Sequence, residues 1–402
     1  MLSSCSSLDC AVSRLAEEAA LARGVSSGKV VVTGGGGYFG FRLGKELASQ
    51  GMTVILLDMR RPPCEIPDGV IFFESDIRDY ASLHKVCEGV DCIFHTASYG
   101  MSGPEQLNKD QVESVNVGGT NNVINVCKER NIPRLVYTST VNVVFSGNPI
   151  DEGDEASVPY VPFDAHIDHY SRTKSLAEQM VLSANSFILK SGGQLRTCVL
   201  RPCGIYGPEE RRHLQRVNVE RRFFMFRFGD PRAMMNWVHV DNLVMAHMQA
   251  AEALTLKRSC VAVSQDKTKH SLINNYTSSL TFLFCTFRIC IGLAPMITFL
   301  TSLGRVFSYQ PPSLPLQVRN IAVNHTFKID KARRDLGYSP KPYSLADSVE
   351  EYLKSRQLGA RSTRSKVSWI SQLPRDMALL LLMFLILVAL ICVLVFFLPV
   401  PM

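Results

Sequence analysis

The chain has 402 residues, 46% of them hydrophobic, and a net charge of +7 at pH 7, which predicts one large α/β domain with a smaller lobe. Its twelve cysteines form no C-x-x-C pair, so neither a disulfide framework nor a metal site is expected. The basic stretches at residues 211–232 and 354–375 lack interleaved stacking aromatics, which disfavours nucleic-acid binding and favours a solvated face or attraction to an anionic membrane surface.

Residues 1–28 lack the features of a secretory signal peptide. Glu17 and Glu18 interrupt the middle of this stretch, so it contains no unbroken apolar core. We expect a poorly ordered extension or a short surface helix ahead of the first domain.

A glycine-rich turn follows the first predicted strand. Residues 30–32 are consecutive valines, a composition that suits a strand buried on both faces. Glycines then recur at G-x-x-G-x-x-G spacing, and a helical pattern follows them. Such a turn can bind a phosphate, because backbone N–H groups and the helix dipole point at the anion, whereas a plain tight turn is the alternative. The expected dinucleotide contacts are Gly34, Gly37, Tyr38, Phe39 and Gly40.

The second predicted strand, residues 53–57, ends at Asp58, about 20 residues after the glycine turn. An acid at this position accepts hydrogen bonds from the adenosine ribose and repels a 2′-phosphate, which favours NAD over NADP. Arg60 and Arg61 follow closely and could hold a 2′-phosphate, so NADP stays an alternative. Asp58 could instead be a turn residue before the loop that follows.

Further apolar runs alternate with helical patterns. Strands are predicted at residues 70–74, 91–96, 134–138 and 196–200, with a short one beginning at Trp237, and helices at residues 115–130, 168–185 and 241–253. This alternation predicts an α/β fold, a doubly wound Rossmann parallel sheet with helices on both faces and a smaller C-terminal substrate lobe. Asp76 and Ile77, after the third strand, are expected beside the adenine ring.

Tyr170 and Lys174 lie four residues apart on the helix predicted at residues 168–185, so they share one face. A nearby ammonium stabilises the phenolate and lowers a tyrosine pKa that is ordinarily about 10. Lys174 can also hold the nicotinamide ribose. Thr140, which follows the strand at 134–138, can hydrogen-bond the substrate oxygen, a role that Ser139 could also take. These groups predict a general acid–base site for an alcohol–carbonyl pair, with an exposed helical pair as the alternative.

Residues 377–398 contain no charged side chain and are almost entirely apolar. As a helix they would extend about 33 Å, enough to cross a hydrocarbon core of about 30 Å. The linker before them, residues 356–376, is basic, so the positive-inside rule places the main domain in the cytosol. We expect a single-pass transmembrane tail anchor, with a buried core helix as the alternative.

Several motifs together resemble those of the extended short-chain dehydrogenase/reductase superfamily. Within it the chain is most similar to the 3β-hydroxysteroid dehydrogenase/isomerase-like group, and there to family 42E, a set of membrane-associated enzymes. The motifs are TGGGGYFGFRLG (33–44), SDIRD (75–79), FHTASYGMSGPEQLN (94–108), VNVGGTNNVI (115–124), PRLVYTST (133–140), HYSRTKSLAEQ (169–179), LRPCGIYGP (200–208), FGDPRAMMNWVHVDNLVMAH (228–247) and KARRDLGY (331–338).

The resemblance implies NAD-dependent oxidation of a 3β-hydroxyl group on a sterol or steroid. Tyr170 would be the proton acceptor, Lys174 both a cofactor contact and the activator, and Pro202 would line the nicotinamide side. The expected partners are a small sterol or steroid substrate and a membrane, that of the endoplasmic reticulum, reached through the C-terminal helix. A homodimer through the helices at residues 115–130 and 168–185 is expected by analogy with the fold.

The likeness fails at residues 257–303, within the expected substrate lobe at 255–355 that follows a nucleotide-binding domain at 29–254. The family has a strand there, and residues 260–263 are expected to be its remnant. The apolar residues 280–300 favour a helix that touches the sterol or the membrane interface over a second span. Two other functions stay open: an inactive NAD-binding scaffold, and a nucleotide-sugar epimerase or dehydratase, which shares the fold and the Tyr/Lys pair.

Overall fold

The computed structural model describes residues 28–101, 104–210, 233–255, 260–262, 323–344, 347–348, 350 and 354. Its strands, in chain order, are β1 (Lys29–Thr33), β2 (Thr53–Asp58), β3 (Val70–Glu74), β4 (Cys92–His95), β5 (Arg134–Thr138), β6 (Ile150–Gly153), β7 (Arg196–Leu200), β8 (Gly204–Tyr206), β9 (Trp237–His239), β10 (Cys260–Ala262) and β11 (His325–Phe327). Its helices are α1 (Tyr38–Ser49), α2 (Tyr80–Val86), α3 (Lys109–Glu113), α4 (Thr120–Glu129), α5 (His169–Ser183), α6 (Val240–Thr255) and α7 (Asp330–Leu336).

Within the described residues, seven strands form one parallel sheet in the order β10-β7-β5-β4-β1-β2-β3. Val31 of β1 pairs with Ile55 on one side and with Ile93 on the other, and all three side chains are fully buried. The expected Rossmann-type parallel sheet is therefore confirmed. The strand order reverses between β1 and β4, and in this architecture dinucleotides bind at the carboxyl ends of the strands beside such a switch point.

The side chains of β1 alternate between the two faces of the sheet and enter two separate cores. Val30 and Val32 pack with residues of α1 and α6, whereas Val31 packs with residues of α2, α4 and α5. Burial of a valine side chain contributes about 1.5–3 kcal/mol, so both layers hold β1 firmly. The turn that follows β1 is thereby fixed relative to the helices on either side of it.

The helix predicted at residues 115–130 begins differently from the expectation. A π-helical turn occupies Ser114–Gly119, and α4 starts at Thr120. The buried Asn116 lies in this turn, where its amide nitrogen donates to the Tyr99 carbonyl at 3.0 Å and its Oδ1 accepts from the Tyr99 amide at 2.8 Å. The turn therefore joins the helix to the loop after β4, and π-helical turns are frequent at functional sites.

Two small parallel pairs lie outside the main sheet, β6 with β11 and β8 with β9. Helix α7 buries Ala332 and Leu336 in the core that also contains α6, and it ends at Gly337 with a left-handed φ of 70°. Residues 260–262 of the expected strand remnant do form a strand, which pairs with β7. That strand lies beyond residue 254, the expected end of the nucleotide-binding domain, and the division into domains stays a prediction.

The chain divides into two compact units, Met1–Val349 and Glu350–Met402. In the second unit Lys354 pairs with Glu350 at 2.7 Å. Several expected features lie outside the described residues: nearly all of the extension at 1–28, most of the atypical segment at 257–303, the basic linker at 356–376 and the tail anchor at 377–398. In the part of the chain that the structure describes, no helix is both long enough and apolar enough to cross a membrane.

Candidate active site

The glycine turn after β1 is closed by contacts that leave no room for a side chain. Gly34 has a φ of 74°, and a Cβ atom on it would lie 2.7 Å from the amide nitrogen of Ala97. A Cβ atom on Gly40 would lie 2.2 Å from the carbonyl oxygen of Gly34, whereas the amide of Gly37 donates to that same oxygen at 3.1 Å. The glycine spacing therefore lets the turn fold tightly onto the start of α1.

Helix α1 begins at this turn with backbone donors available. In the described structure neither a capping side chain nor an acidic residue occupies its first turn. First-turn amides lack partners within a helix, so those of Tyr38, Phe39 and Gly40 can bind an anion. The two aromatic side chains are engaged elsewhere, since the Tyr38 hydroxyl donates to the Pro208 carbonyl at 2.9 Å and the Phe39 ring lies 4.6 Å from that of His247. The residues present fit a dinucleotide pyrophosphate.

Asp58, at the end of β2, binds the glycine turn directly. Its Oδ2 accepts a hydrogen bond from the Gly36 amide at 3.0 Å, and its Oδ1 accepts one from the Arg60 amide at 3.0 Å. A Cβ atom on Gly36 would lie 1.8 Å from the Arg60 carbonyl oxygen. Gly36 could not be identified from the sequence, because it lies outside the G-x-x-G-x-x-G spacing. Asp58 is half-buried and keeps lone pairs for ribose hydroxyls, which fits the adenosine end of a dinucleotide.

Asp76 and Ile77 follow β3, but they have different surroundings. Asp76 pairs with Arg78 at 2.6 Å, and the hydrogen bond from Arg78 lowers the pKa of that carboxyl. Ile77 is buried beneath the π-helical turn, where a Cβ atom on Gly119 would lie 2.4 Å from Ile77 Cδ1. The Ile77 side chain therefore belongs to the core. The contact of both residues with adenine stays a prediction.

Helix α5 carries Tyr170 and Lys174 in a buried position. Its N-cap is Asp168, whose Oδ1 accepts from the Ser171 amide at 2.7 Å and whose Oδ2 accepts from the Ser171 hydroxyl at 2.9 Å. This cap holds the first turn, in which Tyr170 lies. Tyr170 is 5% exposed and Lys174 is 1% exposed. The alternative of an exposed helical pair therefore does not apply, while the catalytic role of both residues stays a prediction.

The Lys174 ammonium is held against the end of β5. It donates to the Thr138 carbonyl at 2.7 Å and lies 4.1 Å from the centroid of the Tyr137 ring. Burial lowers the pKa of Lys174 to about 7, and the nearby Glu178 opposes this effect. An ammonium has other N–H donors besides the one used by Thr138, so donors remain for a phenolate or for ribose hydroxyls. A lysine that titrates near neutral pH is typical of an acid–base site.

The two hydroxyl residues after β5 differ in their partners. Ser139 is buried, and its hydroxyl donates to the Glu178 carboxylate. Thr140 is half-exposed, and its Oγ1 accepts a 3.3 Å hydrogen bond from the backbone N–H two residues further along. Pro202 lies beside this turn, since its carbonyl accepts from the Val141 amide at 3.2 Å. Thr140 therefore keeps a hydroxyl proton for a substrate, and its predicted role and that of Pro202 stay predictions.

Glu178 is the centre of a buried polar network that our sequence argument missed. Its Oε1 accepts from the Tyr160 hydroxyl at 2.6 Å and from Nε and Nη2 of Arg201 at 2.9 and 2.6 Å. Its Oε2 accepts from Ser139. Glu178 is fully buried and Arg201 nearly so. Its position four residues after Lys174, on the same face of α5, is the sequence signal that could have identified it.

Two more polar contacts support the site and were also missed. The amide nitrogen of Asn116 donates to the Thr173 hydroxyl at 3.0 Å, which joins the π-helical turn to α5. The Thr138 hydroxyl lies 2.7 Å from Nε2 of His247. Threonine, asparagine and histidine in apolar runs carry no distinctive spacing, so their partners become visible only in three dimensions.

A Rossmann sheet with a buried tyrosine–lysine pair on the helix after β5 defines the class as the extended short-chain dehydrogenases/reductases. The chain belongs to the 3-beta hydroxysteroid dehydrogenase/isomerase family, whose model matches residues 31–270. It is 46% identical to short-chain dehydrogenase/reductase family 42E member 1 of Danio rerio, over 84% of this chain and 91% of that protein. The resemblance to family 42E and the expectation of an oxidoreductase are therefore confirmed.

More distant proteins share the fold. Sterol-4-alpha-carboxylate 3-dehydrogenase, decarboxylating, of Mus musculus is 29% identical over 81% of this chain and 90% of that protein. The solved structure of MoeE5 in complex with UDP-glucuronic acid and NAD superposes with a TM-score of 0.60 at 20% identity, covering 82% of this chain and all of that chain (100%). The family and this NAD-bound fold support the prediction that NAD is the cofactor.

Proposed function

We propose that the protein oxidises the 3β-hydroxyl group of a sterol or steroid, with NAD as the cofactor. The observation that supports this function most directly is the burial of Tyr170 and Lys174 on α5, beside the ends of β5 and β7. The family and the sterol-carboxylate dehydrogenase relative favour the same class of substrate.

Each residue of the site has its own role in the proposed reaction. Tyr170, as a phenolate, accepts the hydroxyl proton of the substrate as the general base. Lys174 stabilises that phenolate, because a nearby positive charge favours the ionised form of a phenol. Thr140 donates a hydrogen bond to the substrate oxygen and orients the reacting carbon. NAD, when bound, accepts the hydride.

The cofactor contacts follow from the sites described above. The glycine turn and the first-turn amides of α1 bind the pyrophosphate, Asp58 binds the adenosine ribose, and Lys174 binds the nicotinamide ribose. Pro202 lines the nicotinamide side. The negative charge of Asp58 repels a 2′-phosphate, so NAD is preferred over NADP despite the nearby Arg60 and Arg61.

The proposal includes a membrane location, because a sterol is a lipid-soluble substrate. The apolar segment 377–398 would anchor the chain in the membrane of the endoplasmic reticulum, with the catalytic domain in the cytosol. Fractionation of cells that express the full chain tests this part. Recovery in the soluble fraction without detergent would contradict the anchor.

A homodimer through α4 and α5 is proposed by analogy with the fold, and its test is the mass of the detergent-solubilised protein.

The activity is tested with the full chain in detergent micelles, NAD and a panel of 3β-hydroxysterols, by following the formation of NADH. The matched variants are Tyr170→Phe, which removes the proposed base, and Tyr80→Phe, which removes a phenol from the start of α2. We expect turnover of at least one sterol by the wild type and by Tyr80→Phe, and a loss of about 10²–10⁴-fold in Tyr170→Phe. Absence of turnover with the whole panel would contradict the proposal.

The same assay separates the other two functions. The nucleotide-sugar alternative is favoured by the fold shared with MoeE5, and it would be supported by conversion of a UDP-sugar with no turnover of sterols. The scaffold alternative would be supported by NAD-dependent thermal stabilisation without any turnover. The divergence at residues 257–303 is the reason for keeping it.

A further inference from the structure

We propose that Glu178 and Arg201 form a positioning pair that keeps Lys174 charged while leaving its N–H groups to the cofactor and to Tyr170. This inference rests on the proposed chemistry of Tyr170 and Lys174 and deepens it. Neither Glu178 nor Arg201 is assigned a contact with substrate or cofactor, since both are buried within the protein and act through Lys174.

The geometry keeps the Glu178 carboxylate near Lys174 without letting the two bond. Glu178 lies one helical turn after Lys174 on α5, but its oxygens are occupied by the hydroxyls of Tyr160 and Ser139 and by the guanidinium of Arg201. Between the described side chains of Lys174 and Glu178 there is no direct ion pair, and the ammonium donates to the backbone of β5 instead. The carboxylate therefore acts through space and uses up none of the lysine donors.

Lys174 needs the nearby negative charge of Glu178 in order to stay charged. Burial favours the neutral amine and brings the pKa of Lys174 down to about 7, and the negative charge of Glu178 opposes that shift. The other titratable groups beside Lys174 are its proposed partner Tyr170, groups whose pKa burial shifts towards the neutral form, and members of the network. They are Tyr170 on α5, Tyr137 on β5, His95 on β4, whose pKa burial lowers to about 3, Tyr160 in the loop before α5, and Arg201 after β7. Among the described residues Glu178 is thus the anion that favours the ammonium.

Arg201 has two consequences for this arrangement. It stabilises the ionised carboxylate through two hydrogen bonds, because a buried carboxylate without a partner would take up a proton instead. It also connects α5 to the segment that contains Pro202, while Ser139 connects α5 to the segment that contains Thr140. One carboxylate therefore sets both the charge of Lys174 and the position of the strand ends that frame the reaction site.

The test measures the ionisation of Tyr170, which reports the charge of Lys174. Ultraviolet difference titration of the full chain against a Tyr170→Phe background gives the pKa of the Tyr170 phenol without requiring turnover. We expect Glu178→Gln to raise this pKa by about one pH unit, because a neutral Lys174 no longer stabilises the phenolate. Arg201→Gln removes the partner that keeps Glu178 ionised, so the buried carboxyl takes up a proton and the Tyr170 pKa should rise as well. The double variant should raise it no further than Glu178→Gln, because the same negative charge is lost only once.

Two controls distinguish this role from structural damage. Ser139→Ala removes one hydrogen bond to Glu178 without changing any charge, so the Tyr170 pKa should shift much less than in Glu178→Gln. If Glu178→Gln does not fold, a rise of the Tyr170 pKa in Arg201→Gln still tests the proposal. An unchanged Tyr170 pKa in the folded variants, or a fall of this pKa in Glu178→Gln or Arg201→Gln, would overturn it.

The pH profile of kcat/KM for sterol oxidation provides a second readout. In Glu178→Gln the acid limb of the profile should move to higher pH in parallel with the phenol titration. If the wild type turns over no sterol but the titrations behave as expected, the proposed function fails and the charge coupling stands. If the wild type is active and neither variant raises the Tyr170 pKa, the inference fails and the proposed function stands.

Discussion

The hydroxyl oxygen of Thr138 lies 2.7 Å from Nε2 of His247, and the carbonyl oxygen of the same threonine accepts the hydrogen bond of Lys174. Nδ1 of His247 faces the Leu243 carbonyl at 2.8 Å, and a carbonyl can only accept. Burial lowers the pKa of His247 to about 4, so at neutral pH the ring carries its proton on Nδ1 and accepts from Thr138. A neutral, buried histidine therefore holds the strand end that binds Lys174.

We expect the free energy of unfolding to decrease as the pH falls from about 6.5 towards 4. Burial lowers the pKa of His247 to about 4 and that of His95 to about 3, so below their ordinary value of 6.5 the unfolded chain binds protons that the folded chain does not. His247→Gln removes one of these groups and should reduce the slope of the free energy of unfolding against pH, as measured by denaturant unfolding at each pH. His84→Gln, at a half-exposed site on α2, should not. Equal slopes in wild type and His247→Gln would contradict this explanation.

Asp58→Asn should weaken NAD binding by about tenfold and narrow the preference for NAD over NADP. The substitution keeps the shape of the side chain but removes the charge that strengthens hydrogen bonds to the ribose and repels a 2′-phosphate. Calorimetric titration with both cofactors measures the two effects. Asp68→Asn changes an exposed acid in the following loop and is the matched control. An unaltered ratio of the two affinities in Asp58→Asn would count against the assignment.

Gly36→Ala should destabilise the protein by about 1–3 kcal/mol or more and weaken NAD binding. Its Cβ atom would lie 1.8 Å from the Arg60 carbonyl oxygen, so the turn and the loop after β2 must separate, and the hydrogen bond to Asp58 is strained. Gly118→Ala provides the comparison, because in the described structure nothing beyond its chain neighbours and its own helical backbone lies within 4 Å of the Cβ position there. Thermal unfolding with and without NAD measures both variants. Equal losses of stability in the two would show that close packing is not the cause.

Thr140→Val should lower kcat for sterol oxidation by about a hundredfold, because it removes one hydrogen-bond donor to the reacting oxygen while preserving shape. Thr197→Val makes the same change in the middle of β7, where the hydroxyl is buried and has no hydrogen-bond partner among the described residues. That control should retain activity and equal or greater stability. Steady-state kinetics with a single sterol compares the two. Full activity in Thr140→Val would show that the Thr140 hydroxyl does not donate the predicted hydrogen bond to the substrate oxygen.

The sheet could be predicted from the sequence because its central strands are buried on both faces. The bounds expected for residues 70–74, 134–138 and 196–200 coincide with β3, β5 and β7. The π-helical turn at Ser114–Gly119 could not be predicted, because it depends on contacts of Asn116 with Tyr99 and Thr173, which lie 17 and 57 residues away along the chain. Helical periodicity depends on residues that are close together along the chain, so it cannot indicate such distant partners.

The sequence by itself determined the parallel sheet, the glycine turn with Asp58, the placement of Tyr170 and Lys174 on one helix, and the family, since each depends on local composition or short spacing. Only the tertiary structure decided which groups surround Lys174. Glu178 forms hydrogen bonds with Arg201, 23 residues away along the chain, and with Ser139, 39 residues away. Thr138 contacts His247, which is 109 residues away. These bonds form because parallel strands bring distant segments to one edge of the sheet, where burial requires each polar group to find a partner.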